Sequence, residues 1–126
     1  LRLLVDTSTF IWALQDPDLL SVRAMRAMQD DDAFLQLSAL SITEIAIKTG
    51  KGKLKMRPED IIAGLDDLRM HVLPWNARHA FRLFDLPAHH ADPFDRQILA
   101  QALAENIPVV SCDEKFPRYA GVQIIW

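Results

Sequence analysis

The sequence predicts an α/β fold, with a parallel β-sheet covered by helices on both faces. Three observations carry that expectation. Short continuous apolar runs such as "LRLLV" and "IPVVSC" have the pattern of strands buried on both faces. Longer stretches with apolar residues at helical spacing alternate with them. Strand and helix alternating along one chain is the arrangement that parallel pairing requires.

Taken in order, "LRLLV" is the first strand, and "TFIWALQ" follows at once as helix. "DPDLLS" breaks that helix, and Ser21 is placed to cap "VRAMRAMQ". "AFLQLSA" is a second strand, and "SITEIAIKTGKGK" a helix running into a Gly/Lys loop. "RPEDIIAGLDDLRM" has Pro58 in its first turn and reads as a further helix. "HVLPW" is a strand ended by proline, and "NARHAFRLFDL" a helix capped by Asn76. "PFDRQILAQALAEN" is the clearest helix, "IPVVSC" a strand, and "VQIIW" a last short one. No repeat, low-complexity tract or linker interrupts residues 1–126, so one domain is expected.

Composition narrows the function classes. Half of the 126 residues are apolar, enough for a sizeable core. The net charge of −3 announces no global affinity for nucleic acid, so any such binding needs a local patch. Cys112 is the only cysteine, which excludes an internal disulfide and a cysteine-rich zinc site. His89 and His90 are adjacent, a poor spacing for chelating one ion. No apolar run is long enough for a membrane span. "LRLLVDTSTF" meets an aspartate at its sixth residue, unlike a secretory signal, so a cytoplasmic protein is expected.

The acids fall in a pattern. In open parallel sheets, ligands bind beyond the carboxyl ends of the strands. Asp6 ends the first strand, Asp113 follows "IPVVSC", and Glu44 is expected in the first turn of its helix. Asp92 and Asp95 flank Pro93 at the start of the clearest helix. Each has a purely structural reading as well. "SITE" from Ser41 to Glu44 fits a capping box, and Asp92 and Asp95 fit an N-cap and a favourable third position. Asp113 could open a turn. Asp6 has the fewest structural excuses. Four segments each placing a carboxylate at an element end point together to a site, and like charges gathered there call for a hard cation such as Mg²⁺ or Mn²⁺.

These stretches resemble the PIN-domain nucleases, and within them the VapC-type toxins of type II toxin–antitoxin pairs. "LLVDTSTFIWAL" is similar to that family's opening, "LSALSITEIAIKTGKGKL" to its second signature, and "HHADPFDRQILAQALAENIPVVSCDEKF" to its third. The similarity spans nearly the whole chain. It implies a three-layer α/β/α sandwich, a homodimer and an antitoxin partner. It also implies endonucleolytic hydrolysis of RNA phosphodiesters, with Asp6, Glu44, Asp95 and Asp113 as catalytic metal-binding acids. Asp92 matches a further acid of the "DPFDR" subgroup. Ser8 stands where His is common and Ser111 where Thr is usual; Ser111 keeps the hydroxyl.

On that reading Asp6 and Asp95 are the most direct ligands. Glu44 serves a second ion or orients a water, and Asp113 closes the site. The sequence leaves one ion and two equally open. Thr7 and Ser111 could orient neighbouring carboxylates. Lys48, Lys51, Lys53, Lys55 and Arg57 lie within "KTGKGKLKMR", and a phosphate-contacting loop competes there with a solvated surface. Arg96 could touch phosphate or pair with an acid. Trp12, Trp75 and Trp126 are expected in the core or at a dimer interface. Two other classes stay in view. An aspartate-based phosphoryl-transfer domain similar to haloacid dehalogenases would want a second Asp at position 8, where Ser8 stands, and a receiver domain would want a late lysine better placed than Lys115. A non-catalytic binding module on the same fold is the other class.

Overall fold

The computed structural model describes residues 1–88, 92–119 and 121–126; His89 and His90 lie outside them. Among the described residues, five strands form one parallel sheet in the order β3-β2-β1-β4-β5. The strands are β1 (Arg2–Val5), β2 (Phe34–Ser38), β3 (Met70–Leu73), β4 (Val109–Val110) and β5 (Ile124–Ile125). Between them run α1 (Thr7–Gln15), α2 (Val22–Gln29), α3 (Ala39–Gly50), α4 (Pro58–Asp67), α5 (Ala77–Arg82) and α6 (Pro93–Glu105).

The three layers follow from the two-residue period of a strand. Leu3 and Val5 of β1 point into one core, with Leu35 and Leu37 of β2, Phe10 of α1, Ala24 of α2, Ile45 of α3 and Ile61 of α4. Leu4 points the other way, to Val109, Leu73 and the α6 residues Ile98, Leu99 and Ala102. All three β1 residues are fully buried, each contributing on the order of 2 kcal/mol of hydrophobic stabilisation. The predicted sheet, covered on both faces, is therefore the observed α/β/α arrangement. Gly64 lets α4 approach α1 closely, since a Cβ there would stand 2.4 Å from Leu14 Cδ1.

Several boundaries shift for local reasons. α3 starts at Ala39, capped by Ser38, whose hydroxyl accepts from the Leu40 N–H at 3.1 Å. "SITE" is thus not a capping box, and Glu44 stands in the second helical turn rather than the first. The helix expected to run to Met70 ends at Asp67, and Met70 opens β3 instead. The reversal occurs at Arg69, which takes a left-handed φ of 54° normally signalled by glycine. β4 is two residues long and begins after Pro108, which has no N–H to give the ladder. Ser21, Asn76 and Asp92 cap α2, α5 and α6 as expected.

A polar network ties the amino end of β1 to the far end of α6. Arg2 donates to Gln36 Oε1 (2.7 and 2.9 Å) and to Glu105 Oε1 at 3.0 Å. Arg78 is paired with the other oxygen of Glu105. His79, fully buried, stands with Nε2 2.9 Å from that same oxygen. Its Nδ1 accepts from the Asn76 N–H at 3.2 Å, so the proton of the neutral ring sits on Nε2. The hydrogen bond from His79 and the two arginines hold the Glu105 carboxyl below its ordinary value of 4.5, against the opposing effect of burial. A carboxylate lowered in the folded state contributes stability above its unfolded pKa and loses it as pH falls through the folded one. Glu105→Gln should therefore lower the melting temperature at pH 7. The gap to wild type should close as the pH is taken below 4.5, and thermal melts across that range would measure it.

Candidate active site

β1 and β4 are neighbours whose following connections lead to opposite faces: α1 lies over one core, and Phe116 and Tyr119, after β4, lie in the other. In doubly wound sheets the crevice at such a reversal is the ligand site. Here it is a pocket of about 200 Å³ lined by Asp6, Thr7, Ser8, Glu44, Lys48, Asp92, Asp95, Cys112 and Asp113. All five acids singled out in the sequence therefore come together.

Each acid is positioned by the chain around it. Asp6 is the first residue past β1 and caps α1, accepting from the Thr9 N–H at 2.8 Å. The Ser111 side chain, just past β4, favours the charged form of Asp6. Asp92 caps α6, accepting from the N–H groups of Phe94 (2.8 Å) and Asp95 (3.1 Å). Pro93 takes the first helical position, and Asp95 the third. Capping and site duty thus coexist in "DPFD". Asp113 follows β4 in a turn in which the Lys115 N–H donates to its Oδ1 at 2.8 Å. Glu44 reaches in from α3, and its helix is tied to α1 by the Thr7 hydroxyl donating to Ser41 Oγ at 2.8 Å.

The electrostatics match a cation site. Burial pushes the Asp6 carboxyl above the ordinary range; the hydrogen bonds from Ser111 and Thr9 resist that, and the Asp113 charge adds to it. Glu44 is buried, and its Oε1 has no hydrogen-bond partner among the described residues. Two carboxylates about 4 Å apart repel by roughly 4 kcal/mol at the effective dielectric of a protein surface, so gathering five is costly without positive charge among them. All five supply hard oxygen donors, the type that Mg²⁺ and Mn²⁺ take. Among the described residues, no three of them yet converge as a ligand set on one point. That donor chemistry is what fits a divalent ion here. Burial also pushes the Cys112 thiol up, which keeps it protonated at neutral pH and a poor nucleophile.

The basic residues do not behave as one group. Lys48 leaves the loop and enters the pocket, with Nζ 2.8 Å from Glu44 Oε2. The Glu–Lys spacing of four on one helix carried that signal in the sequence. Lys51, Lys53 and Lys55 are exposed beyond α3, and Lys55 borders a different depression, beside Asp60 and Gly64. Arg96 is not among the residues lining the pocket and donates to the Pro87 carbonyl at 2.9 Å. Of the tryptophans, Trp12 and Trp126 pack together with ring centroids 6.0 Å apart, and Trp75 lies against His79 at 5.6 Å.

A carboxylate whose folded pKa is raised favours its protonated form. The stability it gives is present below its unfolded pKa and lost as pH rises through the folded value. Charged Asp6 therefore costs the metal-free protein stability at pH 7. Asp6→Asn, which keeps the cap, should raise the melting temperature in EDTA at pH 7, with the gain fading toward pH 4, near the ordinary value of 3.8. A lower melting temperature at pH 7 would contradict this account.

The family model of the PIN domain matches residues 3–122. No curated protein matches the chain significantly. Among solved structures it is similar to VapBC-1 from nontypeable Haemophilus influenzae, at 21% identity and a TM-score of 0.73, covering 98% of this chain and 96% of that one. It is also similar to VapBC2 from Rickettsia felis bound to a DNA fragment from their promoter (18% identity, TM-score 0.71, 98% and 97% covered). A third is VapBC-5 from Mycobacterium tuberculosis, a member of the VapBC family of toxin-antitoxin systems (20% identity, TM-score 0.64, 98% and 97% covered). At these identities the likeness is one of fold.

Proposed function

From its membership of the PIN-domain family, we propose that the chain is an endoribonuclease dependent on Mg²⁺ or Mn²⁺, and the toxin of a toxin–antitoxin pair. The observation that carries the reading is the pocket at the β1–β4 crevice, where Asp6, Glu44, Asp92, Asp95 and Asp113 meet. A nucleophilic aspartate mechanism fits less well. Asp6 is buried, its pKa is raised, and it is occupied as a helix cap.

A divalent cation held among these acids would acidify a water and offset charge on the phosphate undergoing attack. Asp6, Asp95 and Asp113 are the residues that would hold it, with Asp92 fixing the helix start that aims Asp95. Ser111 favours the charged form of Asp6, and Thr7 braces α1 against the helix carrying Glu44. Glu44, which lines the pocket, would accept a proton from that water. RNA would approach a pocket of negative charge, and the exposed Lys51, Lys53 and Lys55 beyond α3 are cations able to meet its phosphates.

The VapBC likenesses support an antitoxin partner. An arginine or lysine from such a partner, laid among the carboxylates, would supply charge without an activated water. The reading includes a homodimer in the cytoplasm.

Purified protein should cleave RNA with Mn²⁺ or Mg²⁺ and stop with EDTA. Asp6→Asn and Asp95→Asn should each lower the cleavage rate by on the order of a hundredfold or more, as loss of transition-state charge stabilisation does. EDTA-resistant cleavage would remove the cation from the mechanism. A phosphate-binding role for the loop has a separate signature. Changing Lys51, Lys53 and Lys55 together to Ala should weaken RNA binding and flatten its dependence on salt. An unchanged slope in filter-binding titrations would return these lysines to the solvated surface.

A further inference from the structure

We propose that Lys48 takes the place of a second metal ion: its ammonium, held inside the pocket by Glu44, makes this a site for one divalent cation, at Asp6. The inference rests on the cation-dependent reading above and decides between one ion and two.

Three observations carry it. Lys48 Nζ stands 2.8 Å from Glu44 Oε2, although nearly half of the lysine side chain is exposed and solvent is open to it. The lysine is among the residues lining the pocket with all five acids. The lysine's charged form is favoured first by its bond to Glu44 and then by the Asp92 and Asp95 charges. The Glu44 side of the pocket thus contains its own positive charge.

A dication placed beside Glu44 would have to displace Lys48 or stand next to it, and either is unfavourable. A dication at Asp6 meets neither obstacle. The pairing engages one oxygen of Glu44 and leaves Oε1 buried and without a hydrogen-bond partner among the described residues. That oxygen is then an acceptor for a water or substrate hydroxyl rather than a ligand to a second ion. Lys48 acts through Glu44 as a positioning residue.

The test is a Mn²⁺ titration followed by electron paramagnetic resonance of the free ion, on wild type, Lys48→Met and Lys48→Arg. Thermal melts in EDTA accompany it. Wild type should bind one ion per chain. Lys48→Met should bind a second, with affinity about tenfold or more above any second site in wild type, the scale expected from removing one adjacent like charge. In EDTA the melting temperature of Lys48→Met should fall, because buried Glu44 has lost its counter-charge, and Mn²⁺ should restore it. Lys48→Arg keeps the charge and should match wild type in both measurements. Two ions of similar affinity in wild type would overturn the inference, as would one ion in both wild type and Lys48→Met; the cation-dependent reading would survive either result. No Mn²⁺ bound by any of the three proteins would overturn both.

Discussion

The constraint on which the rest of the molecule depends is the burial of β1 on both faces and both edges. Leu3, Leu4 and Val5 have no exposed surface, and β2 and β4 pair on either side of the strand. A strand so enclosed can end in only one place. Its last residue delivers Asp6 into the interior of the crevice, where water cannot fully solvate the carboxylate. The raised Asp6 pKa and the cap on α1 are both consequences of that placement. Folding leaves a charge where charge is unfavourable, and the surrounding groups are arranged to tolerate it.

α6 links this end of the sheet to the other. Its first turn presents Asp92 and Asp95 to the pocket, and its last residue, Glu105, is gripped by Arg2, Arg78 and His79. Thirteen residues at about 1.5 Å each make a strut of roughly 20 Å. The acids that strain the fold and the acid that secures it therefore sit at opposite ends of one helix, too far apart to interfere.

Much of this was legible in the sequence, for identifiable reasons. Strands enclosed on both faces must be apolar without interruption, so "LRLLV" and "IPVVSC" announced themselves. Ser21, Asn76 and Asp92 have side chains suited to capping and were found where they cap. The expected acids all line one pocket because strand ends and helix starts converge there by topology. What was hidden depends on particular side-chain choices. Nothing in "DDLRM" marks Arg69 as a left-handed residue, because arginine lacks the signal that glycine gives. "SITE" has the letters of a capping box, but Ser38 caps first and Ser41 is left to bond Thr7. Lys48 looked like the first member of a basic loop, although its spacing of four from Glu44 on α3 carried the signal that sets it apart. The Glu105 network joins residues up to 103 positions apart, which no local pattern reveals.

The pairing of β1 with β4 joins residues 4 and 5 to residues 109 and 110. The two walls of the crevice thus come from opposite ends of the chain, and such long-range contacts form late because closing a long loop is entropically costly. During synthesis the amino-terminal half can pair β1 with β2 and bury its first core well before β4 exists. A polypeptide that stops short of β4 has Asp6 and Glu44 but neither Ser111 nor Asp113, and it lacks the strand that closes the crevice beside them. The acids become a site only after residue 110 has docked, so a nascent or prematurely terminated chain carries the letters of a nuclease without being able to act as one.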